Sequence, residues 1–438
     1  MAVVGGTGWE AAVAEPSSGF AGGSYAAARA VPRPRGAPRC TLCEPMAKKT
    51  AKKTGSKRAP RTKVIQRSAA EERATLDVPA PIPLGDVLGQ ERAVGQLTDA
   101  IGSGRLHHAW IFHGPEGVGK FTTALAWAAL LLDPGTDRDL GGRFVTDPGS
   151  VTQTLLRAGT HPDLHVIRKE LARFSSESKI RDAKLATIPK AVIDEHLIRP
   201  ATVAAVMRSG SMASKVFIVD EAELLDRSPS NAPSQNAILK TLEEPAPGNV
   251  IILVTSSEDR LLPTIRSRCQ RVAFGSLSDE AMRVWLASTG RGVTGEERDW
   301  LLRSSDGSPG RLVAMHECGM YDWFRTVSPM LDQAERGQHP LPLGATMASL
   351  VDGWAATWVK EGEKKGENRS KDAANRLGAR RMLGMVGERA RTGLADPRRS
   401  APSLRAIEAV GRAQQQIDSN VNLKLVFDHL AAGLSARD

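Results

Sequence analysis

Residues 114–121 read GPEGVGKF, a run that could bind phosphate. In the pattern Gly-x-x-x-x-Gly-Lys-[Ser/Thr], backbone N–H groups and the start of a helix cradle phosphate oxygens. The lysine reaches the terminal phosphates and the hydroxyl holds Mg²⁺. Gly114, Gly117, Gly119 and Lys120 satisfy this chemistry, but Phe121 stands at the hydroxyl position, and a phenyl ring cannot ligate a hard cation. Thr122 is no simple substitute, because a one-residue advance swings a side chain ~100° around the helix axis. Downstream, the apolar run 216–219 ends in Asp220-Glu221. After a phosphate loop, such an Asp holds Mg²⁺ directly or through water and its neighbouring Glu polarises the attacking water. The bland alternative is a strand whose acids face solvent. The shape of a nucleotide site is thus kept while one working part is lost.

These residues need a scaffold that brings strand ends together. From about 80 to 275, short apolar runs alternate with helical patterns, which predicts an α/β sheet. Residues 110–112 read as the buried strand leading into the phosphate loop, with a helix over Lys120–Leu132 after it. Further strands are expected at Leu164–Ile167, 216–219, 251–254 and 272–274. The stretch 168–200 reads as an elaborated connection with a helix ending before Pro200. Beyond 274 the pattern turns helical. Ser278-Asp279-Glu280 opens a helix with a serine cap and acids in its first turn. Two short helices are expected near 296–303 and 311–317, and only helical patterns follow, broken by a polar linker at 362–372 and by Pro397 and Pro402.

Charge sharpens this division. The chain carries +10 overall, yet residues 46–70 hold nine Lys or Arg and no acid, and 1–45 hold four Arg against three acids. Residues 71–438 are therefore neutral, and the excess belongs to a basic tail. Residues 1–75 lack the apolar periodicity needed to offset chain entropy and are expected to be disordered. Met46 opens the lysine-rich run and reads as the true start. Cys40 and Cys43 have zinc-knuckle spacing without a second ligand pair. Four scattered cysteines make no disulfide framework, and the longest apolar stretch, 124–132, is about half the ~20 residues of a membrane helix. A reducing cytoplasm is the expected home. The tail could contact phosphate backbones or act only as a solvated arm.

Further motifs carry a resemblance. QNAILKTLEEP at 235–245 is followed by an apolar strand and then by RLLPTIRSRCQ at 260–270. This succession resembles the clamp-loader branch of the AAA+ ATPases. Ala158-Gly159-Thr160-His161-Pro162-Asp163, Gly307-Ser308-Pro309-Gly310-Arg311, Leu88-Gly89-Gln90-Glu91 and 104–109 (GRLHHA) look like elements of its bacterial DNA polymerase III delta-prime subunits. The 417–422 run resembles the family's C-terminal ending, whereas 320–400 matches nothing.

The resemblance implies a fold and roles. The fold would be an α/β AAA+ (RecA-like parallel sheet) domain over 76–275, a small helical lid over 276–318 and an all-α C-terminal collar over 319–438. Gly114, Gly117, Gly119 and Lys120 would surround nucleotide phosphates, with Asp220 and Glu221 opposite. Thr255 would be the first sensor and Arg311 the second, while Arg268, in Ser267-Arg268-Cys269, would reach in trans into a neighbour's ATP site. The competing view of Arg268 is a structural salt-bridge partner. ATP and Mg²⁺ are uncertain cofactors, because Phe121 departs from the pattern. Family members commonly carry a four-cysteine zinc module before the His-Pro-Asp element, but 132–161 contain no cysteine, so zinc is not expected and packing alone should hold that region.

The resemblance therefore implies a delta-prime-like clamp-loader subunit with weak or absent ATPase of its own. Its partners would be the other loader subunits, a sliding clamp and, through the complex, primed DNA. The alternatives are a gamma/tau-type motor of the same loader, a stand-alone AAA+ remodeller and a basic-tailed DNA-binding protein with a vestigial ATPase fold.

Overall fold

Alternating apolar side chains along five short strands account for the centre of the molecule. In the computed structural model, which describes residues 78–181, 187–207, 210–225, 232–364 and 369–436, these strands are β1 (Ala109–His113), β2 (Leu164–Ile167), β3 (Lys215–Val219), β4 (Asn249–Thr255) and β5 (Gln270–Ala273). They form one parallel sheet in the order β2-β3-β4-β1-β5. Four strands fall where the apolar runs predicted them, and the fifth, expected at 272–274, begins two residues earlier at Gln270 and ends at Ala273. The expectations for 1–75, Met46, Cys40 and Cys43 lie outside the described residues.

Both faces of the sheet are covered, so the strands are apolar throughout. Trp110, Phe112, Val216, Ile218, Ile252 and Val254 point to one face, and Ile111, Phe217, Val219, Ile251 and Leu253 to the other. The first face is filled by α2 (Lys120–Leu132), preceded in sequence by α1 (Glu91–Gly102). Helix α2 is buried nearly all round, and its Trp127 ring lies 4.9 Å from Trp110 and 6.1 Å from Phe112. On the second face lie α3 (Pro233–Glu243) and the helical run from Lys190 to Thr202. That run does not stop before Pro200, as expected from sequence. It passes through a π-turn at Asp194–Ile198 and continues over Arg199–Thr202. The wide turn lets the chain carry a proline that cannot donate a helical hydrogen bond.

The cysteine-free stretch after α2 is held by a carboxylate, not by packing alone. Asp133, 2% exposed, caps α2 and accepts hydrogen bonds from Gly135 N (2.9 Å), Ser150 Oγ (2.7 Å) and Gln153 Nε2 (2.9 Å). Around it fold a two-stranded hairpin, Asp137–Arg138 with Phe144–Val145, and the short helix Val151–Arg157. The Arg138 guanidinium covers the Phe144 ring at 4.4 Å.

Three short helices follow the sheet: α4 (Asp279–Ser288), α5 (Gly295–Ser304) and α6 (Pro309–Glu317). Ser278 caps α4 by accepting from Ala281 N, as the sequence predicted. Then come α7 (Met320–Glu335), α8 (Leu343–Lys364), α9 (Lys371–Gly393), α10 (Ser400–Asp418) and α11 (Leu423–Ser435). Helices α8 to α11 pack in a closed circuit of neighbours, and α7 lies against α8 and α11. Pro402, read from sequence as a break, sits in the first turn of α10, where a missing N–H costs nothing. Small residues set close helix approach. A Cβ on Gly378 would stand 3.0 Å from both Val351 and Trp354, and one on Gly433 3.0 Å from Ala409. Cys318 is buried and Cys269 half-buried, and burial pushes the Cys269 thiol up to about 12. No described helix is long and apolar enough to cross a membrane.

Candidate functional site

The end of β1 delivers the phosphate loop to the carboxyl edge of the sheet. Gly114, Gly117 and Gly119 take φ values of 143°, 76° and 98°, open to glycine and strained for other residues. Space also demands glycine, since a Cβ on Gly114 would stand 2.2 Å from the Phe274 carbonyl oxygen. Gln90 fixes the loop against the strand that leaves the sheet. Its Nε2 donates to Val118 O (3.1 Å) and Gly275 O (2.8 Å), and its Oε1 accepts from Gly275 N (3.2 Å).

Lys120, the first residue of α2, is 6% exposed, and its Nζ donates to Gly114 O (2.8 Å) and Pro115 O (2.5 Å). Burial lowers its pKa against the opposing pull of Glu223, Glu116 and Asp220. Incoming phosphate oxygens would replace the two carbonyls as acceptors.

The acid pair lies across the cavity, and each acid already has a cation. Arg168 Nε donates to Asp220 Oδ2 at 3.0 Å, and Lys169 Nζ meets Glu221 Oε2 at 2.6 Å. Both bases follow directly on β2, whose register beside β3 places them opposite the acids. The Arg168 guanidinium also lies over the Phe121 ring, 4.2 Å from its centroid. Burial raises the Asp220 pKa, and the Arg168 charge opposes it. Glu221 holds a left-handed backbone, φ 50°.

Gly117, Gly119, Lys120, Asp220, Glu221 and Thr255 share one cavity of about 1000 Å³. Gly114 lies behind it, against Phe274. Thr255 is buried at the end of β4, and its Oγ1 accepts from Ser257 N at 3.0 Å. The cavity roof is the start of α6. Gly310 N donates to Gly117 O (2.8 Å), and Ser308 Oγ donates to Glu116 O (2.8 Å). Gly310 and Val313 line the cavity, whereas the Arg311 side chain is exposed outside it.

Arg268 lies elsewhere. It precedes β5, at the amino edge of the parallel sheet, and the strand's length, about 13 Å, separates it from the phosphate loop. Its Nη2 meets Glu243 Oε1 at 2.8 Å and its Nη1 donates to Thr264 O at 2.9 Å, with the side chain 37% exposed. Within this chain Arg268 is a salt-bridge partner on the surface.

These residues do not fit Mg²⁺. An octahedral Mg²⁺ site relies on a hard oxygen set. Here the loop position offers a phenyl ring, and the acid that would complete the set is paired with Arg168. Sequence reasoning missed Arg168, Lys169, Gln90 and Ser308. The signal for the first two was a basic pair at the exit of a strand beside the acidic one.

A five-strand parallel sheet in this order, with the glycine loop after β1, the acids after β3 and helices beyond, defines an α/β P-loop protein of the AAA+ class with an all-α C-terminal region. Residues 89–278 match the family model described as DNA polymerase III, delta subunit. The DNA polymerase III subunit delta' of Pseudomonas aeruginosa is 32% identical over 49% of this chain and 57% of its own length. The subunit delta' of Bacillus subtilis is 30% identical over 44% and 50%. The gamma/tau subunit of Mycobacterium tuberculosis H37Rv is 28% identical over 52% of this chain and 36% of its own. Over this portion the chain is similar to delta' subunits and to gamma/tau subunits of DNA polymerase III. The chain spans about half the length of the curated relatives it matches.

Proposed function

We propose that this chain is the delta-prime-type subunit of a bacterial clamp loader, which helps place a sliding clamp on primed DNA during cytoplasmic replication. Other loader subunits would be its direct partners, assembled through the α7–α11 collar, with α4–α6 as the lid. The observation that carries the reading is the position of Arg268. It is partly exposed, lies a strand's length from its own phosphate loop and is held at the surface by Glu243 and Thr264 O. Exchange of the Glu243 carboxylate for the phosphate oxygens of a neighbouring subunit would suit a planar, permanently charged guanidinium. Fingers of this kind contribute about 10³–10⁵ in phosphoryl-transfer rate.

The gamma/tau-type motor is the weaker reading. A motor needs the Mg²⁺ ligand set that Phe121 and the Arg168–Asp220 pair remove. The test is DNA-stimulated ATP hydrolysis by a loader reconstituted from this chain and its motor partners. Arg268→Ala should cut turnover sharply while Lys120→Ala leaves it close to wild type. A loss confined to Lys120→Ala would make this chain itself a motor.

A further inference from the structure

We propose that the cavity binds a nucleoside di- or triphosphate without a divalent cation, Arg168, in contact with the lining residues Phe121 and Asp220, supplying the fixed positive charge that a metal would otherwise bring. The proposal rests on reading residues 114–120 as a phosphate loop and is independent of the role of Arg268.

Three observations converge on it. The phosphate-cradling parts are present: glycines at 114, 117 and 119 in the backbone setting the loop needs, Lys120 at the head of α2, and a cavity of about 1000 Å³ in front of them. The metal-ligating part is replaced, and by a matched pair of changes. Phe121 supplies a ring face in place of the hydroxyl, and Arg168 lies on that face at 4.2 Å while its Nε holds Asp220 at 3.0 Å. The third observation is electrostatic. Asp220 and Glu221 without a counter-charge would repel phosphate, and Arg168 and Lys169 neutralise them from within the chain. Unlike Mg²⁺, Arg168 brings no coordinated water and cannot be chelated away.

The ligand would lie under α6, where Gly310 N and Ser308 Oγ already join the lid to the loop at Gly117 and Glu116. With no metal to order a nucleophilic water, binding and not turnover is the expected outcome at this site.

The test is a titration of the purified full chain with mant-ADP, by fluorescence and by calorimetry, in buffers containing either Mg²⁺ or EDTA. Wild type should bind with a dissociation constant that differs between the two by less than about threefold, about 0.6 kcal/mol. Lys120→Ala should abolish binding in both. Arg168→Ala should weaken binding in EDTA by about tenfold or more, because Asp220 is then left without its counter-charge in the cavity wall. Phe121→Thr combined with Arg168→Ala restores a hydroxyl and frees Asp220, so binding should become EDTA-sensitive. Circular dichroism melts of each variant separate these effects from misfolding. Wild-type binding that EDTA abolishes would overturn the proposal, and so would no binding to millimolar mant-ADP in either buffer. Either result leaves the ATPase comparison of Arg268→Ala and Lys120→Ala to stand or fall by itself.

Discussion

Asp133→Ala should loosen the cysteine-free segment after α2 while leaving the sheet intact. The magnitude follows from its partners. Asp133 is buried at 2% exposure and accepts from Ser150 Oγ, Gln153 Nε2 and Gly135 N. Bonds to a charged acceptor contribute about 1.5–3 kcal/mol each, but three losses will not add. Gln153 Nε2 keeps Ala129 O at 3.1 Å, and the exposed Gly135 N–H turns to water. The remaining deficit is about one such bond, roughly 2–3 kcal/mol of local stability, or opening about 30- to 150-fold more often. Hydrogen exchange measured by mass spectrometry reads this directly. Peptides within 136–157 should exchange faster by that factor while those from β1 and the first turns of α2 keep their protection. Asp133→Asn should fall between, since its amide retains one acceptor and turns a donor toward donors. Unchanged exchange in 136–157 would refute the reasoning, because packing alone would then hold the segment. An equal rise across α2 would refute it too, by making Asp133 part of the global core.

Two further predictions concern the seam between α6 and the phosphate loop and the C-terminal helices. Gly310→Ala should separate α6 from the phosphate loop although its backbone is helical, because a Cβ would stand 2.7 Å from Gly117 Cα. Faster exchange of the amide at position 310 is the expected sign, and unchanged exchange there would count against the seam. Gly384→Ala in α9, with nothing within 4 Å, should stabilise instead, by up to about 1 kcal/mol. At the base of the C-terminal helices, Arg389 joins Asp332, Glu335 and Ser328, and Arg399 joins Glu335 at 3.0 Å. Burial of Glu335 disfavours its charge, but the hydrogen bonds and charges of Arg389 and Arg399 outweigh that and hold its pKa below the usual 4.5. A depressed carboxylate contributes stability above its unfolded pKa that is lost as pH falls through the folded value. Protection of α7 and α9 should therefore weaken below about pH 4.3. Glu335→Gln should flatten that dependence; an identical pH profile in the variant would rule the network out as its source.

The sequence by itself determined the strands, the phosphate loop and the Ser278 cap, since each depends on local spacing. Val216 to Val219 alternate between the two faces, Gly114 to Lys120 carry the loop's backbone requirements, and Ser278 stands one residue before a helix. The loss of the metal hydroxyl at Phe121 was legible for the same reason. What stands beside Phe121 was not. Arg168 meets Phe121 and Asp220 across 47 and 52 positions of chain, and only the parallel register of β2 beside β3 brings them together.

Likewise Asp133, an ordinary acid after an apolar helix, becomes the hub of a segment only when Ser150 and Gln153 fold back on it. The helices from 320 to 400 showed no motif because their seams are made by small residues such as Gly378, whose role exists only against Val351 and Trp354. Arg268 is the sharpest case. The Ser-Arg-Cys triplet suggested a finger, but that it lies a strand's length from its own phosphate loop follows from all five strands running parallel, a property of the assembled sheet and of no single segment.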